Sequence, residues 1–352
     1  MTGHSAPPPS PDLDESRVDG FLRSRIPGLA GVPRFTPIAG GQSNPTYFVD
    51  YDDRSLVLRK QPGGELLPSA HAVDREYRVM AALAATGVPV PGMVLFHPER
   101  DVVGTPFFVM ERVQGRVFGQ YALPGCDPVE RRAMYESMAE TMARLHRVDP
   151  TAVGLEDFGK PGNYFSRQVV RWARQWELSR TRPNPWLDRL IEWLPAHLPE
   201  GEEIAICHGD FRMGNLMFHP TEPRVVAVLD WELSTLGHPL ADVAFNAMAW
   251  RTLPSEYGGI LGLDRASLGV PDEAAYLERY YAAAGRVDRA LPFHFAFALF
   301  RFAVIFEGIA ARAAAGNAAA ANAAAAGRLG PAFARRAVEI VEGRPPDFNP
   351  LE

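Results

Sequence analysis

His208, Asp210 and Asn215 fall within the eight residues His-Gly-Asp-Phe-Arg-Met-Gly-Asn, and Asp230 follows at the end of the apolar run 225–229. An aspartate, an asparagine five positions later and a second aspartate are the groups that phosphoryl transfer from a nucleotide requires. In this reading Asp210 orients an acceptor hydroxyl, while Asn215 and Asp230 hold Mg²⁺, a hard cation that prefers oxygen and keeps waters. An ordinary aspartate, with a pKa of about 3.9, is a weak base. In a loose transition state the proton leaves late, so orientation counts for more than basicity. His208 is read as fixing the loop through a buried hydrogen bond, with a direct chemical part as the other reading. Glu232, two residues beyond Asp230, either touches metal-bound water or is exposed.

The elements that must position these groups divide at Gly115. Before it, extended segments are expected at 34–38, 46–50, 55–60, 93–96 and 107–112, separated by turn residues. One helix over 71–85 carries Val73, Tyr77, Met80 and Leu83 on a single face and stops at Gly87. After Gly115 the character is helical. Asp127-Pro128-Val129-Glu130 is an N-cap, a first-turn proline and a capping-box acid. Further helices are expected from 164 or 165 to 179, over 185–194, and from Pro239 onward. Residues 204–232 read as loop and hairpin. The Ala-rich segment 308–327 predicts helical hairpins broken at Gly316-Asn317. Its other reading is a mobile lid over the acceptor.

With 352 residues, nearly half apolar, the chain can bury one large or two modest domains. A net charge of −6 gives no general pull toward nucleic acid or an anionic membrane surface, so neither is expected as a partner. Cys126 and Cys207 make no disulfide framework and show no metal-ligand spacing, which suits a reducing, cytoplasmic setting. No signal-peptide pattern or membrane-length apolar run is expected. Residues 1–27, polar and proline-rich at their start, are expected to be disordered or poorly ordered. The oligomeric state is not readable.

These motifs, together with Gly40-Gly41-Gln42-Ser43-Asn44, Leu56-Val57-Leu58-Arg59, Arg75-Glu76-Tyr77, Phe107-Phe108-Val109-Met110-Glu111 and Leu236-Gly237-His238-Pro239-Leu240-Ala241-Asp242, carry a resemblance over about residues 30–340. The chain resembles the aminoglycoside phosphotransferase-like kinases, the phosphotransferase enzyme family, and most the branch also found fused to acyl-CoA dehydrogenases. The resemblance implies an α+β, two-lobed protein-kinase-like fold. It divides the chain into a small β-rich nucleotide-binding lobe over 28–113 and a larger helical catalytic and acceptor-binding lobe over 114–346. It implies ATP as donor, with GTP as the alternative, and Mg²⁺. Arg59 stands where most kinases carry lysine and pairs with Glu76. Arginine keeps the charge but has a larger planar head. Gly41, Ser43 and Asn44 belong to a loop that reads alone as a hairpin turn and, with the downstream motif, as a phosphate cover. The backbone of Met110, Glu111 and Val113 reads the purine edge. Asp242 is similar to the family's aspartate that holds the catalytic loop, a role compatible with capping its own helix.

The family usually phosphorylates hydroxyls of small molecules. Only about nine residues separate Asp230 from Pro239, too few for the peptide-holding segment of a protein kinase. Arg167, Arg171, Trp172, Trp176, Arg180, Arg182, Trp186 and Trp193 suit an acyl chain with a phosphate or thioester carrier, although the tryptophans are read first as helix core. A hydroxyacyl acceptor therefore leads. Aminoglycosides and other sugars or amino alcohols follow, because a polycation prefers an acidic pocket. A non-catalytic nucleotide- or acyl-binding regulatory module is the alternative of a different class.

Overall fold

The computed structural model describes residues 13–38, 44–64, 72–314 and 323–348, and the chain divides into two compact units. The first comprises residues up to Gln114 together with Val226–Glu232. The second comprises Gly115–Val225 and the residues from Leu233 onward.

The first unit opens with α1 (Glu15–Arg25), capped by the Asp14 carboxylate, which accepts the Arg17 N–H at 3.1 Å. Val18 and Leu22, four residues apart, face inward and are fully buried. The expectation of a poorly ordered start through residue 27 is thus corrected for 15–25. Two inward apolar residues are too short a pattern to mark a helix, and the surface they bury against comes from the sheet later in the chain.

Five strands follow: β1 (Arg34–Pro37), β2 (Thr46–Asp50), β3 (Ser55–Lys60), β4 (Met93–His97) and β5 (Phe107–Glu111), with α2 (Val73–Leu83) between β3 and β4. They form one antiparallel sheet in the order β1-β2-β3-β5-β4. Alternation assigns the faces. Tyr47, Val49, Leu56, Leu58, Phe107 and Val109 pack in one core with Val18 and Leu22 of α1. The opposite face of the sheet carries Val57, Arg59 and Phe108. There Tyr77 of α2 lies against Phe96 and Phe108, with ring centroids 5.5 and 6.3 Å away. This register delivers Arg59 toward α2 rather than into the α1 core.

The second unit begins with β6 (Arg116–Val117), α3 (Pro128–His146), α4 (Tyr164–Ser179) and α5 (Pro185–Ala196). Three short strands follow, β7 (Ala205–Cys207), β8 (Leu216–Phe218) and β9 (Val225–Val228), the last running into the first unit. Then come β10 (Thr235–Gly237), α6 (Pro239–Ala247), α7 (Arg265–Leu268), α8 (Glu273–Ala284), α9 (Pro292–Ala314) and α10 (Ala323–Val341). Asp127 caps α3 as expected, accepting the Val129 and Glu130 N–H groups at 2.9 Å. Glu130 does not complete the capping box; its carboxylate lies 2.7 Å from Arg116.

α9 has the length and apolar composition to cross a membrane, which the linear reading did not anticipate. It is mostly buried among α4, α5, α6 and α10. Glu307 within it is met by Arg182 and Asn184 at 3.1 Å, the pattern of a core helix. The expected break at Gly316-Asn317 lies outside the described residues.

His294, near the start of α9, gives the second unit a pH dependence. Burial, with the nearby His238 second, pushes its pKa down to about 4. Its Nδ1 accepts the Leu291 N–H at 2.9 Å. A depressed histidine stabilises the fold fully above its unfolded value of about 6.5, and that contribution is lost as pH falls toward 4. The full shift corresponds to about 3 kcal/mol. Urea midpoints should therefore drop between pH 7 and pH 4.5, and His294→Gln should flatten the slope.

Candidate active site

In the first unit Arg59 stands between two acids. Its Nη2 donates to Asp230 Oδ1 at 2.9 Å. Its Nε lies 2.9 Å from Glu76 Oε2 but off the N–H direction, so this contact is ionic rather than a formed hydrogen bond. Glu76 is buried and accepts from Asn44 Nδ2 at 2.6 Å. Burial pushes the Glu76 carboxyl up to about 7; Arg59 opposes the shift, the negative charges of Asp230 and Glu232 add to it, and the Asn44 hydrogen bond opposes it. Glu232 is half-buried and thus acts on this cluster electrostatically.

Asp230 does not end a strand as expected. β9 stops at Val228, and Asp230 lies two residues beyond it with φ +65°. An aspartate tolerates this left-handed conformation better than most residues. The turn is pinned from within its own unit. Val228 donates its N–H to Pro89 O at 2.8 Å, and the buried Trp231 indole donates to Val228 O at 2.9 Å. The strand-end reading missed this because a terminal φ is set by such anchors.

Of the remaining nucleotide candidates, Gly41 and Ser43 lie outside the described residues. Met110 and Val113 are half-buried at and beyond the end of β5. Glu111 has its N–H and its side chain engaged within the unit, which leaves its carbonyl for the backbone role expected of it. Its N–H donates to Gly92 O at 2.8 Å and its carboxylate is held by Arg54, whose Nε lies 3.1 Å away. The Arg112 N–H is likewise committed, to Ser55 O at 3.0 Å.

In the second unit the loop after β7 is shaped by its glycine. Gly209 has φ +82°, and a Cβ there would collide with the Leu233 carbonyl, so only glycine fits. The loop's N–H groups then turn inward onto Asp242, which accepts from His208 N at 2.6 Å and Gly209 N at 2.9 Å. His146 Nε2 lies 3.4 Å from the same carboxylate, and its Nδ1 is 2.7 Å from the Tyr280 hydroxyl. Burial would raise the Asp242 carboxyl. The hydrogen bond and charge of His146, with the His208 and Gly209 neighbours, outweigh it and hold the group below its ordinary value. Cys207 shares this buried cluster, with ligand atoms of His146, Cys207 and Asp242 within 4.8 Å of one another. Burial pushes its thiol well up, and both Asp242 oxygens already accept N–H groups, so the cluster supports the loop.

His208 is fully buried, and its Nδ1 accepts the Asp210 N–H at 3.2 Å. That places the ring proton on Nε2 and makes the side chain a brace for the loop. Asp210 is aimed by two side chains. Asn215 Nδ2 donates to its Oδ2 at 2.7 Å and to its carbonyl at 2.9 Å, and Arg212 Nε lies 3.2 Å from Oδ2. Both partners of the Asn215 amide are acceptors, so its nitrogen faces them and Oδ1 is left for another ligand. Asn215 Oδ1 in this unit, like the Asp230 carboxylate in the first, is a hard oxygen donor of the kind Mg²⁺ prefers. Its chemistry, when bound, would be to neutralise charge on the phosphates.

Sequence reasoning missed Arg212, His146 and Arg301, whose Nη2 donates to Gly209 O at 2.8 Å. Arg212 was visible inside the motif, two residues from Asp210. His146 and Arg301 carried no local signal, lying 96 positions from Asp242 and 92 from Gly209 respectively. The cationic stretch on α4 and α5 is largely committed elsewhere. Arg167 donates to Lys160 and Pro161 carbonyls, Arg180 pairs with Asp188, and Arg182 pairs with Glu307. Trp176 is core and Trp172 half-buried.

Known proteins resemble this chain in sequence and fold. The chain is 44% identical over 335 residues to acyl-CoA dehydrogenase family member 10 of Mus musculus, covering 94% of this chain and 31% of that protein. It is 37% identical over 315 residues to acyl-CoA dehydrogenase family member 11 of Homo sapiens, covering 86% and 40%. The chain thus spans about a third to two fifths of the length of these curated relatives. Among solved structures, a putative aminoglycoside phosphotransferase of Ralstonia eutropha JMP134 is 43% identical with a TM-score of 0.87, over 94% of this chain and 99% of that one. A thermostable mutant of aminoglycoside phosphotransferase APH(4)-Ia, in complex with AMP-PNP and hygromycin B, shares the fold at 19% identity and a TM-score of 0.60, over 91% and 98%. The fold is the expected α+β, protein-kinase-like one, with a small antiparallel-sheet unit and a larger helical unit. The phosphotransferase enzyme family profile matches residues 34–294, and the chain belongs to that family.

Proposed function

We propose that this chain moves the γ-phosphate of ATP to a hydroxyl group of a small molecule, a hydroxyacyl compound first among them. The observation that carries the reading is Asp210, turned by Asn215 and Arg212 on a loop whose backbone is fixed by the buried Asp242. A carboxylate so oriented can hold an acceptor hydroxyl in line for attack. Arg59, supported by Glu76, supplies the cation for nucleotide phosphates. The Asp230 carboxylate of the first unit would be a Mg²⁺ ligand, and Asn215 Oδ1 of the second unit is a donor of the same kind. The names of the acyl-CoA dehydrogenase relatives support an acyl-type acceptor. A second reading, an aminoglycoside or other sugar or amino-alcohol kinase, is supported by the names of the solved neighbours and by a 26% identical aminoglycoside 3'-phosphotransferase of Streptomyces ribosidificus. The Arg59–Asp230 pair gives the nucleotide-binding part its test. Asp230→Ala should weaken AMP-PNP binding at least about tenfold in millimolar Mg²⁺ and erase its Mg²⁺ dependence, as loss of a charged ligand requires. Calorimetric titration with and without EDTA measures both. Unchanged Mg²⁺-dependent affinity in the variant would remove Asp230 from the scheme.

A further inference from the structure

The second unit contains a cavity of about 690 Å³ lined by the 119–122 and 257–259 segments, Arg212, Gly214, Pro254 and Leu263. None of its lining residues is acidic. Tyr121 and Tyr257 both present phenols that burial pushes above their ordinary value, so they stay uncharged at neutral pH. The charge on this wall is therefore the Arg212 guanidinium.

Arg212 divides its donors. Nε is spent on Asp210 Oδ2 at 3.2 Å, while the guanidinium lies 5.8 Å from the centroid of the Tyr257 ring. Among the described residues no acceptor meets the two terminal nitrogens, and neither is sealed from solvent. Gly214 holds this arrangement open, because a Cβ there would collide with Nη1 of Arg212. The opposite wall is equally particular. Tyr257 has φ +66°, and Gly259 packs so closely on the Thr252 carbonyl that no side chain fits. A planar fork with one edge on the acceptor-orienting carboxylate and its other donors on a cavity is suited to a second, external anion.

We infer that this cavity receives an anionic group, a carboxylate or phosphate, carried by the hydroxyl acceptor, and that Arg212 binds it while holding Asp210. The inference rests on the kinase reading above and deepens it by naming the acceptor's class. One guanidinium registers the acceptor: the anion on Nη1 and Nη2 sets the distance at which the hydroxyl meets Asp210. A polycationic acceptor is disfavoured here, since its ammonium groups would face Arg212 with no carboxylate on the cavity wall to receive them.

The test uses the full chain saturated with Mg·AMP-PNP and two probes of the same skeleton, 3-hydroxybutyrate and the uncharged 1,3-butanediol. Dissociation constants are read by ligand-observed NMR for the unaltered protein and for Arg212→Gln, Arg212→Lys and Gly214→Ala. The acid should bind at least tenfold more tightly than the diol. That preference should vanish in Arg212→Gln, fall in Gly214→Ala through displacement of the guanidinium, and survive in part in Arg212→Lys. Thermal melts check that the variants are folded. Equal binding of acid and diol by the unaltered protein, including binding of neither, overturns the inference, as does a preference that persists in Arg212→Gln. An Arg212→Gln variant that loses AMP-PNP affinity tenfold with the acid preference intact would assign the fork to a nucleotide phosphate instead. Failure of the unaltered protein to bind Mg·AMP-PNP at all would count against the kinase reading itself, a separate outcome.

Discussion

Asp210→Ala is expected to lower the rate of phosphoryl transfer by about 10³-fold or more, the upper part of the range for a positioned acid or base, while Mg·AMP-PNP affinity changes less than about twofold. The size follows from how firmly the carboxylate is aimed. Asn215 Nδ2 at 2.7 Å and Arg212 Nε at 3.2 Å hold one oxygen, and His208 Nδ1 takes the backbone N–H at 3.2 Å. The other oxygen is the one the proposed role gives to the acceptor. Alanine removes the orienting group and leaves a water-sized gap beside Arg212. Asp210→Asn separates charge from shape, because it fills the same space and should lose nearly as much rate. Single-turnover quench kinetics with labelled ATP measure the step apart from product release. Full turnover by Asp210→Ala would exclude the role assigned to this carboxylate.

Asp242→Ala should be the costliest substitution for stability, at about 3–5 kcal/mol. The carboxylate is almost fully buried and accepts the N–H groups of His208 and Gly209, with His146 at 3.4 Å. Alanine strips two buried backbone donors and an imidazole of their acceptor. Asp242→Asn keeps one acceptor oxygen and should lose less. Because Asp242 is held below its ordinary pKa, the stability it adds is present above the unfolded carboxylate value and lost as pH falls through the folded one. Urea denaturation at pH 7 reads the effect. A cost below about 1 kcal/mol in Asp242→Ala would mean the loop is held by other contacts. If the alanine variant does not fold, the asparagine variant carries the measurement.

The chemistry-bearing residues were legible because their spacing is local. Asp210 and Asn215 sit five apart on one loop, and the resemblance picked out Arg59, which the structure puts on the face opposite Leu56 and Leu58. What the sequence could not show was which distant group each residue meets. The Glu111 carboxylate, for instance, is held by Arg54, 57 positions away, a pairing with no local signal. Asp230 looks like a strand terminus, yet anchors at Pro89 and Trp231 put it in a left-handed turn. The same anchors explain why 226–232 joins the first unit although the linear reading gave it to the catalytic lobe. Helix α1 was missed for a different reason. Its two inward residues are too few for a strong periodic signal, and its burial depends on a sheet formed later in the chain.

The most direct measurement of the central claim is transfer of labelled γ-phosphate from ATP·Mg²⁺ into a fractionated pool of cellular metabolites, with Asp210→Ala as control. A labelled product made only by the unaltered protein, stable to hydroxylamine as a phosphate ester on a hydroxyl must be, is the predicted result. It would also deliver the acceptor by its mass. Nucleotide binding without transfer from either ATP or GTP would contradict the account and leave a nucleotide-binding module in its place.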